Sequence, residues 1–145
     1  MTYLPDVNVL IALVDPAHVA HDAAHAWFAA TGSAGWATCP TTENGLLRIV
    51  GHPRYPNSAG SPAAVAPVLA GLRGHPGHQF WPDAISLMQT DGVDPARILT
   101  SGQMTDTYLL ALAKARAGVL ATFDRRLSVA AVAGGAAALH VIAGA

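Results

Sequence analysis

Short apolar runs alternate with longer stretches of helical period along this chain. Residues 3–7 form an apolar run of strand length, and residues 8–14 continue it as a helix that Asp15-Pro16 interrupts. Residues 18–30 carry helical spacing, with Val19, Ala23, Ala26, Trp27 and Ala30 on one side. Residues 35–39 read as a second strand, and residues 40–50 as a helix opened by Pro40 and stopped at Gly51-His52-Pro53. After the loop-like stretch 53–62, the pattern predicts a helix over 63–72, a strand over 78–82 and a helix beginning over 83–88. Residues 101–117 predict the longest helix, with Ser101 as its cap and Gly118 closing it. Strands follow at 119–123 and 139–143. Strands that alternate with helices imply an α/β fold, with a mostly parallel sheet of four to five strands between helical layers.

Length and composition narrow this picture. At 145 residues the chain is most simply one domain, 1–145, and only 12% of its residues are charged. A surface so short of charge suits an apolar patch for a partner. The net charge of −1 does not mark a nucleic-acid binder by bulk charge. Cys39, the single cysteine, excludes an internal disulfide and fits a reducing, cytoplasmic setting. No basic segment precedes an apolar run at the N-terminus, so no signal peptide is expected. Residues 127–145 lack charged side chains, but Gly134-Gly135 and His140 break them. They are expected to form a short helix, a turn and a buried strand rather than a membrane span.

Four acids change the picture most. Asp6, Glu43, Asp106 and Asp124 each stand alone in a segment that otherwise reads as core. A buried charge costs on the order of several kcal/mol unless something compensates it. One divalent cation, which carboxylate oxygens bind well, would compensate all four. Asp6 and Asp124 follow strand cores, while Glu43 and Asp106 fall in early helical turns at the same sheet edge, where ligands gather in parallel sheets. With these four covered, the rest of the chain is net positive and tolerates phosphate. Each acid also has an ordinary reading: Asp6 as a turn acid, Glu43 and Asp106 as first-turn helix acids, and Asp124 as the cap of a helix starting at Arg125. The set of four argues for metal-assisted phosphodiester hydrolysis, which needs carboxylate-held cations and no nucleophilic side chain.

The ordered set of Asp6 and Asn8 after the first strand, Glu43 in TTENGLLR, TDTYLLALA around Asp106, and Thr122 with Asp124 resembles the PIN domain family. More narrowly, it is similar to VapC-type toxin ribonucleases of bacterial toxin–antitoxin pairs, over about residues 3–143. The resemblance implies a PIN-like three-layer fold with helices on both faces of the sheet. It implies that Asp6, Glu43 and Asp106 are metal ligands, that Asp124 completes the cluster, and that Asn8 and Thr122 orient the carboxylates. It further implies an endoribonuclease dependent on one or two Mg²⁺ or Mn²⁺ ions, using metal-activated water. A VapB-like antitoxin, a homodimer and an RNA substrate come with it, with DNA reached only through the antitoxin.

The remaining candidates are weaker. Arg125 and Arg126 directly follow Asp124, and with Arg48 and Arg54 they are candidate phosphate contacts, with solvated helix-start charges as the equally strong ordinary reading. His18, His21 and His25 share a helical face but run too far along it to converge on zinc. His52, His75 and His78 read as surface residues. Trp27, Phe28, Trp36, Phe80 and Trp81 read as core, and an exposed ring among them would support RNA contact. A haloacid-dehalogenase-like phosphatase is a rival, but it wants a second Asp where Asn8 stands. A non-catalytic module that binds RNA or protein is the other.

Overall fold

The computed structural model describes residues 1–144. Five strands, β1 (Tyr3–Pro5), β2 (Trp36–Thr38), β3 (His78–Phe80), β4 (Val119–Thr122) and β5 (Leu139–Val141), form one sheet in the order β3-β2-β1-β4-β5. Every neighbouring pair is parallel, so the sheet is wholly rather than mostly parallel. The helices are α1 (Val7–Val14), α2 (His21–Ala30), α3 (Pro40–Val50), α4 (Pro62–Arg73) and α5 (Met104–Ala115).

Strand alternation divides the core in two. Tyr3, Trp36 and Ala121 face one layer, where they pack with Val9, Leu10, Trp27, Phe28, Leu46, Val65 and Leu69 of α1–α4. Leu4, Ala37 and Leu120 face the other, against Leu109–Ala113 of α5 and the returning residues Leu127, Val132 and Ala138. This is the three-layer arrangement that the alternating pattern predicts. Among the described residues, no helix is long and apolar enough to cross a membrane.

Three local expectations are corrected. Residues 83–88 are not helical. Ile85 and Leu87, two apart, are the residues of this stretch that pack on the α5 core, a period that suits extended chain. Helix α2 starts at His21, and its buried stripe is Ala24, Trp27 and Phe28, with Val19 exposed. Burying both large rings turns the helix away from the expected face. In the last segment the expected short helix is a 3-10 turn, Gly135–Ala138.

The ends of α5 matter because this helix carries Asp106. Thr100, not Ser101, opens it. Its side chain and that of Gln103 cap each other's backbone N–H across a 3-10 turn, Ser101–Gln103, that leads into α5. At the other end Ala117 adopts a left-handed backbone, φ 55°. Its N–H donates to Lys114 O at 3.0 Å, and Gly118 N–H donates to Ala113 O at 2.8 Å. Gly118 serves a different purpose from the expected helix stop. A Cβ there would lie 2.7 Å from both Thr2 O and the Trp81 ring. Ala117→Gly should therefore raise stability by about 1 kcal/mol, the strain of a left-handed alanine. Gly118→Ala should lower it by about 1–3 kcal/mol through overpacking. Thermal melts of the two variants, which move in opposite directions, check both.

Candidate active site

Asp6 sits one residue beyond β1 and extends the β1–β4 ladder, its N–H donating to Ala121 O at 2.9 Å. Its carboxylate caps α1, Oδ1 accepting from Val9 N–H at 3.0 Å. The other oxygen, Oδ2, accepts a short hydrogen bond from the Thr122 hydroxyl at the end of β4. Asp6 is 7% exposed and Thr122 is fully buried. Among the described residues, no Lys, Arg or His forms an ion pair with Asp6. Burial pushes its carboxyl from the ordinary 3.8 up to about 6. The Thr122 and Val9 bonds oppose the rise, the negative charge of Asp106 adds to it, and the backbone N–H of Asn8 opposes it. Asn8 itself is exposed. Among the described residues, no hydrogen bond from its side chain to Asp6 is formed, and the backbone hydrogen bond to the Asp6 carboxylate comes from Val9.

Asp106 lies in the first turn of α5, half-buried. Burial raises its carboxyl, and the charge of Asp124 raises it further. Asp124 is exposed, and the chain beyond it makes a turn rather than the helix that a capping role would need. Its N–H donates to Thr122 Oγ1 at 3.0 Å, and its Oδ1 accepts from Arg126 N–H at 2.8 Å. Thr122 therefore holds two acids, donating to Asp6 and accepting from the backbone of Asp124. Asp6, Asp106 and Asp124 are within electrostatic reach along that series, although Asp6 is about 100 or more residues from the other two in sequence. Three hard-oxygen donors that repel one another, one of them buried without a cation, fit a divalent ion.

Glu43 is oriented elsewhere. Thr38 at the end of β2 donates its hydroxyl proton to Glu43 Oε2 at 2.6 Å, and Arg73 Nη1 of α4 lies 3.5 Å from the same oxygen. His78 Nε2 is 2.8 Å from Thr38 Oγ1. Because the one Thr38 proton is engaged by Glu43, His78 must be the donor. His78, expected at the surface, is thus packed in a strand against Thr38 and the Trp36 ring. Burial holds its imidazole below the usual value, as does Arg73, while Glu43 opposes them. Among the described residues, no three His, Cys, Asp or Glu side chains stand ready together as metal ligands. The quartet expected at one point is therefore not gathered as a ready ligand set: Asp106 bears on Asp6 and Asp124 bears on Asp106 through their charges, while Glu43 pairs with Thr38 and Arg73.

The other candidates are spread over the molecule. Arg125 and Arg126 are exposed just beyond Asp124. Arg48 is exposed on α3 and lines a cleft with His52, Arg54 and Tyr55. His21 Nδ1 and His25 Nε2 each lie 2.7 Å from a carbonyl at the end of α1, those of Ala12 and Leu13, so the two rings close that helix. Sequence reasoning missed Asp15, a buried carboxylate that accepts from the Tyr55 hydroxyl, from Asn57 Nδ2 at 2.7 Å and from Ala17 N–H at 2.9 Å. The Tyr55 bond is the chief cause that holds it below the usual carboxylate range. Asp-Pro reads as a turn, and nothing local marks partners about 40 residues away. Arg73 carried no signal either, as an ordinary basic residue at a helix end.

Comparison with known proteins places the chain among relatives. The chain is 42% identical over 137 residues to "Ribonuclease VapC44" of Mycobacterium tuberculosis, covering 92% of this chain and 94% of that protein. It is 42% identical to "Ribonuclease VapC39" of the same organism, covering 92% and 96%. For "Ribonuclease VapC29", again from that organism, the identity is 43%, with 88% and 90% covered. The profile of the PIN domain matches residues 3–133, which span Asp6, Glu43, Asp106 and Asp124, and the chain belongs to the PIN domain family.

Proposed function

We propose that this chain is a divalent-metal-dependent endoribonuclease, the toxin of a VapBC-type toxin–antitoxin pair. The observation that carries the reading is the buried Asp6 carboxylate, set beside Asp106 and Asp124 with no protein cation to compensate it. Ribonuclease relatives at 42–43% identity over most of their length support the same chemistry. A cognate VapB-like antitoxin, a homodimeric assembly, an RNA substrate and a cytoplasmic setting belong to this proposal.

In this reading Asp6 and Asp106 are the principal ligands of Mg²⁺ or Mn²⁺, Asp124 completes the set, and Glu43 joins when it leaves Arg73. A cation held there supplies positive charge to the scissile phosphate and makes a water acidic enough to attack it. The chain's own residues do the rest. Thr122 fixes the direction of the Asp6 carboxylate and ties the Asp124 backbone to it. Thr38 plays the corresponding part for Glu43. Arg125, Arg126 and Arg48 take flanking phosphates and align the strand for in-line attack. The products carry 5′-phosphate and 3′-hydroxyl ends.

Asp6→Ala and Asp106→Ala should each abolish cleavage of bulk RNA and abolish Mn²⁺ binding in calorimetry, with circular dichroism unchanged. Full cleavage by either variant ends the proposal. Thr122→Val should reduce activity by about 10- to 100-fold, the effect expected of a group that orients a ligand.

The raised carboxyl of Asp6 also sets a pH dependence. The folded chain holds this proton more tightly than the unfolded chain does, so ionising Asp6 destabilises the fold. The penalty is absent below about pH 4 and complete above about pH 6, where it amounts to roughly 3 kcal/mol. In buffer containing a chelator, Asp6→Asn should melt higher than the parent at pH 7.5, and the gain should vanish at pH 4. A gain that does not change with pH would refute the assignment.

A further inference from the structure

Of the five large aromatic residues read as core, Trp27, Phe28, Trp36 and Trp81 are buried, but Phe80 is 45% exposed. Its position is specific. Phe80 ends β3, the strand at the sheet's edge, and pairs with Thr38. The β1–β2 register then places Phe80 level with Pro5, the residue before Asp6. Two strand spacings separate them, roughly 10 Å. The Arg73 guanidinium stands over the ring, 5.5 Å from its centroid, while its Nη1 reaches Glu43 Oε2 at 3.5 Å. One exposed ring, one exposed-side guanidinium and one carboxylate of the candidate site therefore form a continuous row.

We propose that Phe80 and Arg73 form a nucleotide subsite next to the cleavage centre, with an unstacked RNA base on the Phe80 ring and the adjoining phosphate on Arg73. The inference deepens the nuclease reading and rests on it. A lone exposed apolar residue needs no explanation, but three features separate Phe80 from that case. The ring stands at the carboxyl edge of a parallel sheet, where ligands bind. It is one to two nucleotide steps from Asp6. A planar cation that suits phosphate and also stacks on bases is already fixed against it. Aromatic rings beside cationic groups are how single strands are held without a sequence code, since every base has a π face. The Glu43–Arg73 pair links the two jobs: a phosphate that draws Arg73 away from Glu43 frees that carboxylate to turn towards Asp6.

The test compares the parent with Phe80→Leu and Phe80→Trp in the full chain. Fluorescence anisotropy measures binding of a labelled oligouridylate of about ten nucleotides, whose bases do not stack on one another, and of its abasic ribose-phosphate counterpart. Steady-state cleavage of bulk RNA separates KM from kcat, and calorimetry follows Mn²⁺. Phe80→Leu should weaken oligouridylate binding and raise KM by about 5- to 150-fold, the range for loss of one stacked base. Its affinity for the abasic strand, its kcat and its Mn²⁺ affinity should stay within about twofold, and Phe80→Trp should restore binding. Parent-like oligouridylate binding by Phe80→Leu would overturn the proposal and leave the ring to a protein partner. An equal loss on the abasic strand, or a matching loss of Mn²⁺ affinity, would also overturn it by making the effect structural. Cleavage surviving in Asp6→Ala would remove the nuclease reading alone, and the anisotropy comparison would still decide the subsite.

Discussion

The hydrogen bond from Thr122 to Asp6 joins the ends of two parallel strands, and much of this molecule is arranged around it. It brings together residues 116 positions apart, orients a carboxylate that is almost fully buried, and occupies the donor side of a hydroxyl whose acceptor side receives the Asp124 backbone. A threonine can do this because its one oxygen gives one proton and takes others. The same device recurs on the far side of β1, where Thr38 at the end of β2 donates to Glu43 and accepts from His78. Two buried hydroxyls, at the ends of the strands that flank β1, thus hold two acids. The parallel register makes the pairing possible, since it brings every strand's carboxyl end to one edge.

The electrostatic consequences differ on the two sides. On the β4 side no protein cation meets the acids, so burial and mutual repulsion raise the carboxyls of Asp6 and Asp106. On the β3 side Arg73 provides positive charge, and Glu43 settles there. The protein therefore holds Asp6 and Asp106 in surroundings that favour protons or a metal, whereas Glu43 stands beside a guanidinium. Buried carboxylates elsewhere in the chain show what ordinary compensation looks like. Asp15 accepts from Tyr55, Asn57 and Ala17 and is held low.

Much of this was legible in the sequence, and the reasons for the remainder are physical. Alternating strand and helix periods predicted all five strands and the five main helices, because burial on a sheet face or helix stripe leaves a local mark. Asp6, Asp106 and Asp124 stood out because each is a carboxylate set in an apolar segment, whereas Thr122 entered only through the family resemblance. The partners of Glu43 were not. Arg73 and His78 lie 30 and 35 residues further on, and only the packing of α4 and β3 brings them back. Phe80 was read as core because three residues of an edge strand show no period that separates an inward ring from an outward one. The false helix at 83–88 arose where Ile85 and Leu87 bury alternate positions of an irregular chain.

The acids that gather at this edge come from the first strand, the last long helix and the fourth strand, and only strand pairing connects them. Synthesis runs from the N-terminus at about 5–20 residues per second. A ribosome making this chain therefore carries an incomplete edge until residue 124 has left the exit tunnel and β4 has docked beside β1. Asp6 is translated first and waits longest. The edge is thereby completed only after β4 has been made, long after its first acid.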